Sequence, residues 1–255
     1  MEGLPLYIRP EARRLQVLVV TAIRVDEASK FVGSEVFDDF GRSLGTLVAI
    51  ESSVDGRVVN VVVKVEDKGL EIIDGDRVRV YEGRLVVTPE WKHQIYEVIE
   101  NLDRAYKRKK AIENIGGRNE LPSTVIDPLR KKLEEEIRSL KVRADEVRKL
   151  VSSRIAEIET EELKVARSVA LVGITYFSGE VSEKGYTQSM NHLKRLQEAL
   201  SEEKRAAKEL LDKLDKVVQL AFETEVPQKQ AAPAPQPVTP APQAPAQTVV
   251  VKVEG

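Results

Sequence analysis

The spacing of the apolar residues changes at Pro89, and the change separates a part suited to strands from a part suited to helices. Before it, residues 15–23, 35–37, 45–52, 57–65, 70–73, 77–81 and 84–87 are short runs rich in Val and Ile. Asp55-Gly56, Asp74-Gly75 and Glu82-Gly83 separate them, each with a glycine suited to positive φ. The spacing predicts a small antiparallel β-barrel over residues 1–88, since closure removes the exposed strand edges of so small a domain. Val58, Val59, Val61, Val62, Val63 and Val65 are expected to fill much of its core. After Pro89, the residues Trp91, Ile95, Val98, Leu102, Ala105 and Tyr106 recur at helical intervals. Pro89 and Glu90 favour a helix start there, and Gly116-Gly117 a stop. Residues 89–127 therefore read as a basic connecting helix and loop, with the helix packed on the barrel.

Beyond the breakers Pro122 and Pro128, residues 128–222 read as coiled coil. A helix over 129–177 would be about 75 Å long. Its seam runs through Ile137, Leu140, Ala144, Val147 and Val151, then continues through Ile155, Ile158, Val165, Val169 and Val172 in a register that reads as a stutter. A break follows at residues 178–186, which contain Gly179 and Gly185. A second, continuous seam then runs through Leu193, Leu196, Leu200, Ala207, Leu210, Leu214, Val217 and Ala221. Charged residues make up 32% of the chain against about 25% in typical domains, which fits narrow apolar stripes on solvated helices. Glycines at the break permit either a fold-back hairpin or a continued rod. Narrow stripes leave surface to cover, so self-association is expected.

The tail has two parts. Residues 223–247 form a Pro/Ala/Gln-rich linker, with Pro227, Pro233, Pro235, Pro237, Pro240, Pro242 and Pro245 forbidding helix and removing backbone donors. It is expected to be disordered and partly polyproline II, reaching roughly 60–70 Å. Residues 248–255 then alternate as a strand does, with Val249, Val251 and Val253 on one face and Val250, Lys252 and Glu254 on the other. A lone strand has unpaired backbone groups, so Val249, Val250, Val251, Lys252 and Val253 are assigned to β-augmentation of a partner's sheet edge. Return to the chain's own sheet, or disorder, is the alternative.

Catalytic chemistry finds no constellation. With no cysteine there is neither a thiolate nucleophile nor a disulfide framework. His93 and His192 are the two histidines and lie on different helices, so no metal site is expected. Gly41-Arg42-Ser43-Leu44-Gly45-Thr46 lacks the lysine of a phosphate-binding loop. Asp38-Asp39 and Glu134-Glu135-Glu136 read as solubilising charges beside turns or on solvated faces. The chain is read as a non-enzyme without cofactor. Arg104, Lys107, Arg108, Lys109 and Lys110 form a basic cluster that could contact nucleic-acid phosphates, or simply end a solvated helix. No spanning run or signal pattern is present in the sequence, and a cytoplasmic location is expected.

The order of barrel, coiled coil, proline-rich tether and terminal β-peptide resembles the CdvA family of crenarchaeal cell-division proteins. The stretch Phe31-Val32-Gly33-Ser34-Glu35-Val36-Phe37-Asp38-Asp39-Phe40-Gly41-Arg42-Ser43-Leu44-Gly45-Thr46-Leu47 is similar to the PRC-barrel pattern. The resemblance implies an α+β protein and a filament-forming scaffold. Such a scaffold marks the division site at the cytoplasmic face of the membrane, associates with DNA, and recruits the ESCRT-III-like protein CdvB. In that reading Val249, Val250, Val251, Lys252 and Val253 dock as a strand onto the partner's winged-helix domain. The alternatives are a PRC-barrel RNA- or ribosome-associated factor and a coiled-coil DNA-organising protein.

Overall fold

The computed structural model describes residues 23–66, 68–117 and 122–222. A helical turn, α1 (Val25–Ala28), leads into strands β1 (Glu35–Asp38), β2 (Ser43–Ser52), β3 (Val58–Val65), β4 (Gly69–Asp74), β5 (Val78–Tyr81) and β6 (Arg84–Val87). Three long helices follow, α2 (Glu90–Gly117), α3 (Ser123–Phe177) and α4 (Glu183–Phe222). The α+β class is as expected.

The sheet departs from the expected barrel. Its order is β4-β3-β2-β1-β6-β5, so β4 and β5 form opposite edges and, among the described residues, the sheet is open. Neighbours are antiparallel except β1 and β6, which run parallel. The turn after β4 explains the missing closure. Asp74-Gly75 makes no hairpin: the chain enters a 3-10 turn in which the Asp74 carboxylate accepts from the Asp76 N–H at 2.9 Å. Gly75 is pressed against β3, where an added Cβ would lie 2.2 Å from the Val58 carbonyl oxygen. Glycine serves close approach here, and β5 is carried to the far edge. The expectation of positive φ holds at Gly56, with φ of 82°, and at Glu82-Gly83, with φ of 50° and 72°, the two positive values required by the tight β5–β6 turn.

One sheet face buries Val36, Leu47, Val61, Val63, Ile73, Val78, Leu85 and Val87 together with Ile23 and Ala28. Of the six expected core valines, Val58, Val61 and Val63 are buried, Val62 and Val65 are half-buried and Val59 is exposed. Alternation along β3 permits no more than that. The anticipated strand over 15–23 lies mostly outside the described residues; Arg24 bridges Arg57 beside β3.

α2 does not pack on the sheet as expected. Its apolar stripe, Trp91, Ile95, Val98, Ile99 and Leu102, is buried against Ala144, Val147 and Val151 of α3 and Ala207, Leu210 and Leu214 of α4. α3 starts at Ser123 rather than 129, with Pro122 at its N-cap and Pro128 inside. So near the N-terminus, Pro128 forfeits a single helical hydrogen bond. α3 spans about 80 Å and α4 about 60 Å. Between them Gly179 at φ 80° and the Ser178 and Glu180 N–H groups, bonded to Ile174 and Thr175 carbonyls, cap α3 and reverse the chain. The fold-back hairpin is therefore the outcome. α2 runs antiparallel to α3, with Gly116 beside Ile126 and the Gln94 amide oxygen accepting from Arg143 at 3.3 Å.

Candidate functional site

Seven-residue steps join Ile137, Ala144, Val151, Ile158 and Val165, all buried. The heptad is thus unbroken, and the expected stutter after Val151 is absent. The apparent register slip is a charged residue, Arg154, in a seam position. α4 repeats this: steps of seven join Leu200, Ala207, Leu214 and Ala221, while Glu203 takes the position shared by Leu210. The two charges meet. Arg154 donates from Nε and Nη2 to the two Glu203 carboxylate oxygens at 2.9 and 3.1 Å. The Trp91 indole N–H of α2 donates to the same carboxylate at 3.0 Å, and Arg42 of the β1–β2 loop reaches it at 2.7 Å. Three segments distant in sequence therefore converge on one carboxylate of a fourth, and that carboxylate is only 1% exposed.

Burial alone would push the Glu203 carboxyl up. Hydrogen bonds from Arg154 and Trp91 and the Arg42 and Arg154 charges outweigh it and hold the group below its ordinary value. Arg154 is shifted the other way, upward, chiefly by its hydrogen bond to Glu203. Charges buried this way add little net stability, because desolvation opposes their attraction, but they penalise any other register.

Beside this layer lies the joint between sheet and helices. Asp38 and Asp39, expected to be solubilising, both have carboxylates shielded from solvent there. Asp38 accepts from the Phe40 and Arg42 backbone N–H groups at 2.9 and 2.8 Å and from Arg42 Nε at 2.7 Å. Asp39 takes Arg79 of β5 at 2.6 Å and Lys92 of α2 at 2.7 Å. Phe40 stacks on Trp91 with ring centroids 6.5 Å apart and planes 8° from parallel. Arg42 is thus aimed by Asp38 into the helix bundle, fixing the sheet at mid-hairpin. Above this level α3 and α4 continue as a two-helix arm with Ile158, Val165 and Leu200 at its core.

The basic cluster lies on α2, near the opposite end of the bundle. Arg104 pairs with Glu100 at 2.9 Å and Lys107 with Asp103 at 2.6 Å, which blunts both charges. Lys110 lies over the Tyr106 ring at 4.7 Å, and Arg108 is exposed. Lys109 lines a shallow cavity with Ile112, Leu133 and Arg130, so α3 adds a cation beside the predicted set. Val249, Val250, Val251, Lys252 and Val253, like the linker, lie outside the described residues. No helix among the described residues is long and apolar enough to cross a membrane.

Comparison with known proteins agrees with this architecture. The model of the CdvA-like coiled-coil domain matches residues 90–236, which comprise α2, α3, α4 and the start of the proline-rich segment. The chain is 26% identical over 201 residues to Cell division protein A of Sulfolobus acidocaldarius, across 76% of this chain and 81% of that protein. No solved structure matches. Since the match takes in the whole three-helix unit and more than half of the sequence, the chain belongs to the CdvA family.

Proposed function

We propose that this chain is a non-enzymatic cell-division scaffold that self-associates into filaments and presents its terminal strand to an ESCRT-III-like partner, CdvB. The observation that carries this reading is the family match over residues 90–236, continued in sequence by a tether and an alternating valine peptide. The helical unit supplies rigid spacing, the sheet is locked to it at mid-length, and the tether lets the peptide search for a winged-helix edge. A strand of this length binds weakly alone, because ordering it has an entropic cost; repeated display along a filament raises its effective affinity. Among the described residues the sheet has unpaired edges at β4 and β5, so partner binding and self-docking need separate readouts.

Replacing both Val249 and Val251 with Asp tests the reading. Capture of the CdvB winged-helix domain by the full chain should fall at least tenfold while its sedimentation profile is unchanged. Undiminished capture would show that the strand does not recruit. DNA association through Arg104, Lys107, Arg108, Lys109 and Lys110 belongs to the same proposal. The support is the continuity of that cluster with Arg130 on α3. With Arg104 and Lys107 already ion-paired, each subunit contributes a few phosphate contacts, and a filament multiplies them. Peripheral placement at the cytoplasmic face of the membrane follows from the same family reading.

A further inference from the structure

The outer face of the two-helix arm is apolar where solvent would be expected. Taking Ile158, Val165 and Val172 as the inward heptad positions of α3, residues 163, 166, 170, 174 and 177 fall on the opposite side of the helix. Coiled coils place charge there. This chain places Leu163, Ala166, Ala170, Ile174 and Phe177, all exposed, with Leu163 73%, Ile174 64% and Phe177 83% accessible. Nearer the base, Glu135, Arg138, Asp145 and Lys149 of α3 are also exposed and keep that helix solvated. Residues 163–177 contain two charges, Lys164 and Arg167. Gly173 lies within the same stripe, and among the described residues nothing beyond its own helical turn comes within 4 Å of where its Cβ would be. A mid-helix glycine costs about 1 kcal/mol relative to alanine, and no neighbour among the described residues requires it.

The intervals along the stripe are 3, 4, 4 and 3 residues, a pattern that reads identically in both directions about Ala170. We infer that this face is the contact between two copies of the chain, packed antiparallel about a two-fold axis through Ala170. This rests on the self-association proposed above and assigns it a surface. In that arrangement Leu163 meets the partner copy's Phe177, Ala166 meets Ile174, and the two Ala170 residues face each other. Small residues at the centre let the backbones approach, and large ones close the ends. Electrostatics selects the direction. Parallel packing would set Lys164 and Arg167 against their own copies, whereas antiparallel packing sets them opposite Tyr176 and Gly173 and separates the like charges. The exposed side chains amount to on the order of 500 Å² per copy, so the pair would be a weak, concentration-dependent contact rather than an obligate dimer. Closed isologous pairing at the arm tips leaves the sheet domain of each copy outside the contact.

Because the chain has no cysteine, Ala170→Cys introduces a single reporter thiol on an exposed position. On oxidation it should give a covalent dimer, at least tenfold more than Ser152→Cys at the base of the hairpin. Replacing Leu163 and Ile174 together with Asp should weaken self-association at least tenfold by sedimentation velocity. If the wild-type chain associates, the doubly substituted chain does so equally and Ala170→Cys cross-links no better than the control, this surface is wrong and the scaffold reading stands. If the wild-type chain remains monomeric at all concentrations, both fall. Should the Asp substitutions abolish pelleting with anionic vesicles while Ala170→Cys fails to cross-link, the stripe serves a lipid surface and the inference is overturned.

Discussion

The base and the arm of the α3–α4 hairpin share one uninterrupted heptad, yet they complete their surfaces differently. At the base a third helix, α2, covers the hairpin, and Leu102, Val147, Leu210 and Leu214 are buried in a three-sided core. In the arm two helices share a narrower seam centred on Ile158, Val165 and Leu200, and large apolar side chains remain outside. The border between the two is the layer of Arg154, Glu203, Trp91 and Arg42. Identical periodicity therefore does not determine identical packing. A charged pair in the seam decides where a third helix and a sheet can attach.

Breaking that border should have the widest effect. Glu203→Ala takes from half-buried Arg154 its main partner, leaving it Glu157 and Glu161, and removes the buried acceptor of Trp91 and Arg42, so a loss of about 3 kcal/mol is expected. Urea unfolding followed by fluorescence of the single tryptophan, Trp91, reads it directly. The double replacement Arg154→Leu, Glu203→Leu sharpens the comparison. It should restore most of the helical stability, because an apolar pair at these seam positions packs as well as its neighbours. The sheet would nonetheless be held less firmly, since Arg42 then has no carboxylate on α4 and the joint keeps the Asp39–Lys92 pair and the Phe40–Trp91 stack. Limited proteolysis near residue 88 that remained as slow as in the wild type would show that the layer does not hold the sheet.

Cavity-forming substitutions separate base from arm more locally. Leu214→Ala, in the three-helix section, should cost about 3 kcal/mol, because surroundings held on three sides collapse poorly onto the space. Leu200→Ala, equally buried but held by two helices, should lie nearer ~2 kcal/mol. Equal costs in denaturant titrations would mean that the arm is as tightly held as the base.

Much of this architecture is legible in the sequence, for reasons that can be located. β2 to β6 follow from Val- and Ile-rich runs and their turn residues, since β-hairpin signals are local. The helices α3 and α4 follow from their seams, while the glycines of the break between them permit hairpin and rod alike, and only the structure shows the hairpin. What sequence misses is non-local. Asp74-Gly75 has the composition of a hairpin turn, and only the approach of Gly75 to the Val58 carbonyl reveals that it redirects the chain. α2 has one apolar face that fits a sheet or a bundle equally well. Arg154 and Glu203 escape a search for apolar seams because such a search skips charges. The signal is nevertheless present, since Val151 to Ile158 and Leu200 to Ala207 are both seven-residue steps that leave 154 and 203 at seam positions with opposite sign. Asp38 and Asp39 beside a turn give no sign of burial.

Acid titration should distinguish the border from the surface. Glu203 has a folded pKa below its ordinary 4.5, so its ionised form is favoured by folding. Its contribution is complete above about pH 4.5 and is lost as pH falls through the depressed folded value. Asp55, on an exposed turn beside Ser53 and Arg57, is lowered from 3.8 to about 2. Its window is lower still, and being fully exposed it should leave little trace in the stability curve. A wild-type decline below about pH 4.5 that vanishes when Arg154→Leu and Glu203→Leu are combined would assign the acid sensitivity to the layer; persistence would assign it to other carboxylates.

The smallest effect is expected at the base of the hairpin, where Arg148 pairs with Asp215 at 2.6 Å across α3 and α4. Here the carboxylate is 58% exposed, and the same arginine also bonds Asp145 on its own helix. Asp215→Asn should therefore cost about 0.2–1 kcal/mol, and the difference should disappear in high salt. Arg154–Glu203 has the same charges and similar distances but is shielded from solvent, so the Glu203→Ala loss should survive salt almost intact. If both losses screened equally, Glu203 would behave as a surface group, and the distinction between base, border and arm would rest on apolar packing alone.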